Sequence, residues 1–380
     1  MKNKPIIANI HATFFEKSET FIHNYLSNLE NFKPVCLALE YKNLDNFPLP
    51  KEDLYYFNKR RLLNWPKAMR MRRDGDAQEV LKNLDVKLIH AHFGHNGFHC
   101  LNLKRKFGLP LVTTFYDFDA SKLPRKKRWR NNYKILFKEG DLFLVEGNHM
   151  RLRLIGLGCP PEKIQLQRIA IPLEKISLIP RKRKNSEKTT FIFSGRFVEK
   201  KGLIYALKAI DKIKYRYNFE FRIIGDGPLK GAIEKFVNDR NLNSGLVKML
   251  GFLSYDKYLT EMAKADIFIH PSVVAADGDS EGGAPTTILE AQAMGMPVVS
   301  TYHSDIPNIV VPGKSALMSK EKDIDSLAEN MTFLLENPRK WKSMGETGRQ
   351  FIAEFHDIKT EVNKLEDKYY SLLYEGMGGA

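Results

Sequence analysis

Short apolar runs alternate with longer amphipathic stretches along the whole chain, the rhythm that parallel sheets covered by helices impose. Apolar runs at 5–10, 34–39, 86–93, 110–116 and 142–147 read as buried strands in the first half, and those at 189–195, 219–225, 246–250, 265–270 and 296–301 do so in the second. After Gly202, residues Leu203, Ala206, Leu207, Ile210 and Ile213 share one face at helical spacing, which predicts a helix laid on a sheet. Helical periodicity returns at 322–336, 338–353 and 358–374, the last with Val362, Leu365, Tyr369 and Leu372 as its apolar stripe. Between the two strand series, 179–188 carries a proline, five cations and no large apolar residue after Ile179, so it reads as a solvated linker. The expected organisation is an α/β chain of two doubly wound domains, 1–178 and 186–357, closed by a helical segment at 358–380 that ends in a frayed GMGGA.

Length and composition agree. With 380 residues, 43% apolar and 28% charged, the chain is too long for one ordinary core and too hydrophobic for disorder. The longest stretch without Asp, Glu, Lys or Arg, 88–103, is broken by four histidines and is shorter than the ~20 apolar residues of a spanning helix. The opening MKNKPIIANI has neither a long apolar region nor a small-residue cleavage site, so a cytoplasmic chain is expected. Cys36, Cys100 and Cys159, odd in number and far apart, read as buried reduced thiols.

Charge is uneven. Residues 1–180 hold 31 Lys and Arg against 18 Asp and Glu, and the remainder 29 against 27. A first half at +13 predicts an anionic partner there: phosphorylated lipid, acidic membrane, polyanion or nucleic acid. Its densest blocks set Lys122, Arg125, Lys126, Lys127, Arg128 and Arg130 around Trp129, and Arg60, Arg61, Lys67, Arg70, Arg72 and Arg73 around Trp65. Cations mixed with an aromatic suit an interfacial anchor, and equally suit two solvated helix faces.

Doubly wound domains hold ligands at the C-terminal ends of their strands, which directs attention to the loops there. In SGRFVEKKG, Arg196 and Lys201 lie just past a strand and at the start of a helix, where two cations and free amides suit a diphosphate. In IIGDGPLKG, Gly225 and Gly227 flank Asp226 in a tight turn that misses the dinucleotide fingerprint by one residue. The strongest loop is DGDSEGGAPTTILEAQAMGMPVV, in which Gly282, Gly283 and Ala284 admit close backbone approach and Pro285 and Thr286 open a helix, forming an anion cradle. Glu281 and Glu290 stand beside that cradle, where electrostatics disfavours carboxylates unless sugar or ribose hydroxyls donate to them. His270 lines the same site or is a satisfied core histidine. Asp-x-Asp triplets at 74–76, 117–119 and 277–279 read as chance matches, and no metal site is expected. His90 and His92 share a strand face while His95 lies in the following turn, which argues against a zinc cluster and leaves His92 to acceptor contacts or packing.

These loops, in this order, resemble the retaining glycosyltransferases of family 4, whose GT-B architecture sets an active-site cleft between two Rossmann-like domains. The resemblance rests on a G-R-x-x-x-x-K-G segment beginning at Gly195, the G-D-G-P turn, and paired glutamates followed by E-A-x-A-x-G-x-P-V. It implies that Arg196 and Lys201 hold the donor diphosphate with the amides of Gly283, Ala284 and Thr286 on either side of Pro285 nearby, that Gly195, Gly225, Asp226, Gly227 and Gly282 line the donor site, that Glu290 binds the ribose and that Glu281 faces the transferred sugar. Eight residues separate the two glutamates, where the family has seven. In the first domain, S-E-T-F-I from Ser18, H-A-H-F-G from His90 and T-F-Y-D-F-D from Thr114 resemble segments of a surface-polysaccharide branch of that family, with Tyr116 at the usual active-site histidine and Asp119 matching. Ser18, His92, Tyr116 and Asp119 are the acceptor-side candidates, and the resemblance folds the final helix back across the first domain.

The implied reaction is metal-independent, retaining transfer of a hexose from a UDP- or GDP-sugar to a glycan or lipid-linked acceptor, with no cofactor and no protein nucleophile. The expected setting is the cytoplasm, extending to the inner face of an anionic membrane. Two rivals remain: a GT-B nucleotide-sugar epimerase, against which the S-E-T-F-I and G-G-A-P segments argue, and a nucleic-acid- or membrane-binding module without transfer. A nucleic-acid module leaves the nearly neutral, carboxylate-bearing second domain unexplained, so no nucleic acid is expected as partner.

Overall fold

The computed structural model describes residues 4–17, 19–56, 77–181 and 188–375. Ser18, the cation block at 60–73 with Trp65, the triplet at 74–76, most of 179–188 and the GMGGA end lie outside the described residues. The chain forms two units, Met1–Ala170 with Ile358–Ala380, and Ile171–Asp357.

In the first unit the strands are β1 (Ile6–Ile10), β2 (Thr13–Phe14), β3 (Lys33–Ala38), β4 (Glu40–Tyr41), β5 (Leu54–Tyr56), β6 (Val86–His92), β7 (Leu111–Phe115), β8 (Leu142–Val145) and β9 (Ile164–Leu166). Seven of them make a sheet in the order β5-β3-β1-β6-β7-β8-β9, and β2 pairs with β4. In the second unit, β10 (Thr189–Ser194), β11 (Phe219–Ile224), β12 (Val247–Gly251), β13 (Ile267–His270), β14 (Val298–Thr301) and β15 (Ala316–Ser319) run in the order β12-β11-β10-β13-β14-β15. Every pairing in both sheets is parallel. Each order reverses once, between β1 and β6 and between β10 and β13. In doubly wound sheets the connections on either side of such a reversal leave on opposite faces, and ligands bind past the strand ends there.

Burial on both faces explains the unbroken apolar strands: every residue of β7, β8, β10, β13 and β14 is buried. The helix Leu203–Ile213 buries the stripe read from the sequence, with Ala209 besides, against Phe191, Phe193 and Phe221. The helix Ile358–Tyr370 belongs to the first unit, where Leu365 and Tyr369 pack with Ile7, Leu88, Val112 and Leu144. It is also pinned by polar bonds, because Glu366 accepts from the backbone amides of Glu30 and Asn31 at 2.7 and 2.8 Å.

One sequence expectation differs from the structure. The boundary falls at Ile171, ahead of 178, because residues after it are stitched into the second unit: Arg349 Nη1 donates to Ile176 O at 2.6 Å and to Ala293 O at 2.7 Å. Ile179 N then donates to Met294 O at 3.1 Å, and Arg181, 5% exposed, reaches the carbonyls of Ala263 and Ala265 within 2.6 Å. Burial lowers that guanidinium to about 10. A cation count reads this stretch as solvated, whereas carbonyls at strand and helix ends can partner a buried Arg. Trp129, in the other cation block, is half-buried. Its ring packs on the first unit's core and meets His95 and His99 edge-on at 6.2 and 6.1 Å, while Lys122, Arg125, Lys126, Lys127, Arg128 and Arg130 around it are exposed. Among the described residues no helix is long and apolar enough to cross a membrane.

Candidate functional site

At the reversal point of the second sheet, β10 delivers Gly195 and Arg196, and a short turn, Glu199–Lys201, follows. Gly202 closes that turn at φ +68°, and a Cβ there would lie 1.8 Å from Pro271 O, so glycine lets the β10 and β13 connections touch. Across the contact, Lys201 Nζ lies 2.9 Å from the carboxylate of Glu281, whose Oε1 also accepts from Ser272 Oγ at 3.1 Å. Both charges are largely buried. Burial pushes the Glu281 carboxyl up, but Lys201, His270 and Lys200 beside it outweigh that and hold it well below the usual range. Burial lowers the Lys201 ammonium in turn, with Lys200 and Arg196 adding to the effect and Glu281 opposing it. Arg196 itself is exposed and pairs with no acid among the described residues. Lys200, 2% exposed, turns the other way, to Asp279 at 3.2 Å and Ser280 O at 3.3 Å.

The loop from Glu281 runs through Gly282, Gly283, Ala284 and Pro285 into the helix Thr286–Ala293. Ile288 and Leu289 return their amides to Pro285 O, leaving those of Thr286 and Thr287 without a backbone acceptor among the described residues. Glu290 sits in the second turn, 5% exposed, where Tyr258 and Tyr255 donate to it at 2.6 and 3.2 Å. Burial pushes its carboxyl up to about 7 against those two bonds. His270 is enclosed between Phe193 and Phe268, its rings near parallel to both, and burial lowers its pKa, so it is neutral.

Gly225 and Gly227, donor-side candidates from the sequence, have a packing reason to lack a side chain. At φ +138° and +158°, a Cβ on either would strike Gly195 O at 2.0 Å or Phe197 N at 2.7 Å. They bring the β11 loop onto the β10 loop, where Phe197 N donates to Asp226 O at 2.8 Å, while the Asp226 carboxylate turns back to its neighbour's amide, Gly227 N, at 2.7 Å.

In the first unit the acceptor-side candidates divide. His92 and Tyr116 meet at the β6 and β7 ends, with His92 Nδ1 2.7 Å from Tyr116 Oη and Nε2 3.3 Å from Asn9 Oδ1. Burial, with His90 and His11 nearby, holds the His92 pKa well below its usual value, and burial raises the Tyr116 phenol. Both are therefore neutral. Asp119 is enclosed and serves the backbone: it accepts from Gly94 N at 2.7 Å and from the Tyr116 and Asp117 amides at 3.1 Å, staples the β7 turn to the helix Gly94–Phe107, and is pushed up to about 7 by burial. It shapes the loop that carries Tyr116 and is not an open contact.

Sequence reasoning missed the residues that hold these side chains. Tyr255 and Tyr258 are spaced i, i+3 on the helix Tyr255–Lys264, a spacing that marks one face but not what it covers. Ser272, His303, Ser304 and Glu321 carry no spacing signal, because they come from three separate loops, the first three touching Glu281 and Glu321 touching His303.

Two family profiles match the chain: the family described as Glycosyl transferases group 1 over residues 174–351, and Glycosyltransferase Family 4 over residues 33–175. The chain is 35% identical over 246 residues to the putative colanic acid biosynthesis glycosyltransferase WcaL of Escherichia coli K12, a match covering 63% of this chain and 59% of that protein. It is 34% identical over 247 residues to the amylovoran biosynthesis glycosyltransferase AmsK of Erwinia amylovora, covering 64% and 60%. The match thus spans about three fifths of the length of these relatives. In structure it is similar to the Anabaena protein HepE in complex with UDP, with a TM-score of 0.77, 15% identity, and coverage of 97% of this chain and 100% of that one.

Proposed function

The chain belongs to the family 4 glycosyltransferases and has their GT-B fold, and from that premise we propose that it is a metal-independent, retaining hexosyltransferase of polysaccharide or glycolipid biosynthesis. The donor is a UDP- or GDP-sugar and the acceptor a glycan or lipid-linked sugar.

One observation carries this reading: the buried Lys201–Glu281 pair at the β10 and β13 ends, beside exposed Arg196 and the amides of Thr286 and Thr287, which have no backbone acceptor among the described residues. Arg196, Lys201 and the helix amides take the donor diphosphate, supplying the positive charge that a leaving diphosphate needs. Glu281, held ionised by its cationic neighbours, faces the transferred sugar and accepts from its hydroxyls. Glu290 takes the ribose hydroxyls at its free lone pairs, its two tyrosines leaving room for further donors. The leaving phosphate accepts the acceptor's proton, so positioning and charge stabilisation are the protein's part. His92 and Tyr116 contact the acceptor as neutral hydrogen-bonding groups. The structural similarity to a UDP-bound protein supports a nucleotide diphosphate as ligand, and the relatives' places in colanic acid and amylovoran biosynthesis support a surface-polysaccharide setting.

Thermal denaturation with UDP, GDP, ADP and their sugars, each with magnesium and with EDTA, tests this. A ligand at 100 times its Kd stabilises by about 2.7 kcal/mol, so one nucleotide should raise Tm by several degrees and do so equally in EDTA. No shift with any of them overturns the donor assignment, and a shift abolished by EDTA overturns metal independence.

A further inference from the structure

Glu281 lies outside any helix or strand, so no helical or strand hydrogen bond fixes its backbone. Both its backbone groups are held from the loop after β14. Glu281 N donates to His303 Nε2 at 3.1 Å, and Ser304 Oγ donates to Glu281 O at 2.8 Å. A backbone N–H can only donate, so Nε2 carries the ring's lone pair and the proton sits on Nδ1. Nδ1 lies 2.6 Å from Glu321 Oε1, and the other oxygen of that carboxylate accepts from Val274 N at 2.8 Å. His303 is 1% exposed, so water does not substitute in either of its bonds. Ser304 is held at φ +50°, a left-handed conformation that a non-glycine residue keeps only where its surroundings impose it.

We propose that His303 and Glu321 are positioning residues for Glu281: Glu321 keeps the proton on His303 Nδ1, and the lone pair left on Nε2 anchors the Glu281 backbone at the β10 and β13 ends. The kinetic consequence rests on the reading of Glu281 as facing the transferred sugar; the proton placement does not. The carboxylate has partners in Lys201 and Ser272, but these set only where its end points. Its reach toward a sugar depends on the peptide, and a displacement of about 1 Å costs on the order of 100-fold in rate.

Long-range 15N–1H spectra of histidine-labelled protein, with His303 assigned by its loss in His303→Gln, should show the Nδ1–H form. Glu321→Gln replaces a carboxylate that can only accept by an amide that can also donate, so the ring proton is free to move to Nε2, where it opposes the Glu281 N–H. That variant should lose about 10- to 100-fold in kcat, with KM for the nucleotide sugar and Tm little changed. His303→Gln, which keeps an acceptor oxygen, should retain more activity than His303→Leu, which has none. An Nε2–H form in the unsubstituted protein overturns the proposal, as does Glu321→Gln with an unchanged kcat, or equal inactivity of the two His303 variants at equal Tm. Should the unsubstituted protein transfer no sugar, the reading of Glu281 fails, and the tautomer spectrum alone decides the backbone anchor.

Discussion

Glu290 shows how one residue's surroundings set a measurable pH dependence. Burial raises its carboxyl to about 7, so below that pH the unliganded protein holds it protonated. A ribose hydroxyl that donates to it favours the charged form, so binding expels a proton, and nucleotide affinity should fall by about tenfold per pH unit below about 7. Glu290→Gln should abolish that slope and weaken binding at about pH 8 by ~1.5–3 kcal/mol, the worth of a hydrogen bond to a charged group. Titration calorimetry between about pH 6 and pH 8 checks both. A flat profile together with unchanged affinity in the variant removes Glu290 from the site. Its spacing from Glu281 was legible in the sequence; its titration was not, because the burial that raises it, and the Tyr255 and Tyr258 bonds that oppose it, come from other segments of the chain.

At the level of elements, the site depends on two connections meeting. Gly202 ends one and Pro271 begins the other, and only a residue without a Cβ fits between them. Gly202→Ala should therefore cost more than the ~1–3 kcal/mol of a strained backbone, since the Pro271 carbonyl must also move. Because the same shift separates Lys201 from Glu281, nucleotide affinity should fall along with Tm. Gly313→Ala is the control: its φ is +75°, so it shares the backbone strain, but a Cβ there meets nothing within 4 Å. It should lower Tm and leave nucleotide affinity unchanged, and equal losses of affinity in the two variants would remove the contact argument.

For the molecule as a whole, the charge imbalance has a located expression in the exposed cations from Lys122 to Arg130. If an anionic membrane surface is where the acceptor is met, flotation with vesicles containing about 30% anionic lipid should carry the protein upward at low salt. Raising salt above roughly 0.3 M should release it, because exposed charges are screened over a few ångströms there. Flotation indifferent to lipid charge counts against the membrane reading and leaves the nucleotide site untouched. Part of the Trp129 ring packs on the core, so Trp129→Ala should lower Tm, while the exposed cations around it carry the salt-sensitive part of the flotation.

The sequence by itself determined the alternation of strands and helices, the two doubly wound sheets and the loops in which cations, glycines and carboxylates gather. Those signals are local: a strand buried on both faces must be apolar throughout, a sheet-covering helix must repeat its apolar face, and a turn into a helix must use small residues. Tertiary structure alone decided that Asp119 serves backbone amides, that Gly225 and Gly227 serve packing, that Arg181 is buried against carbonyls, and that His303 and Ser304 hold the Glu281 backbone. Each of these depends on which distant segment occupies the few ångströms beside a group. Hydrogen bonds and close contacts act over that distance and leave no periodicity in the chain.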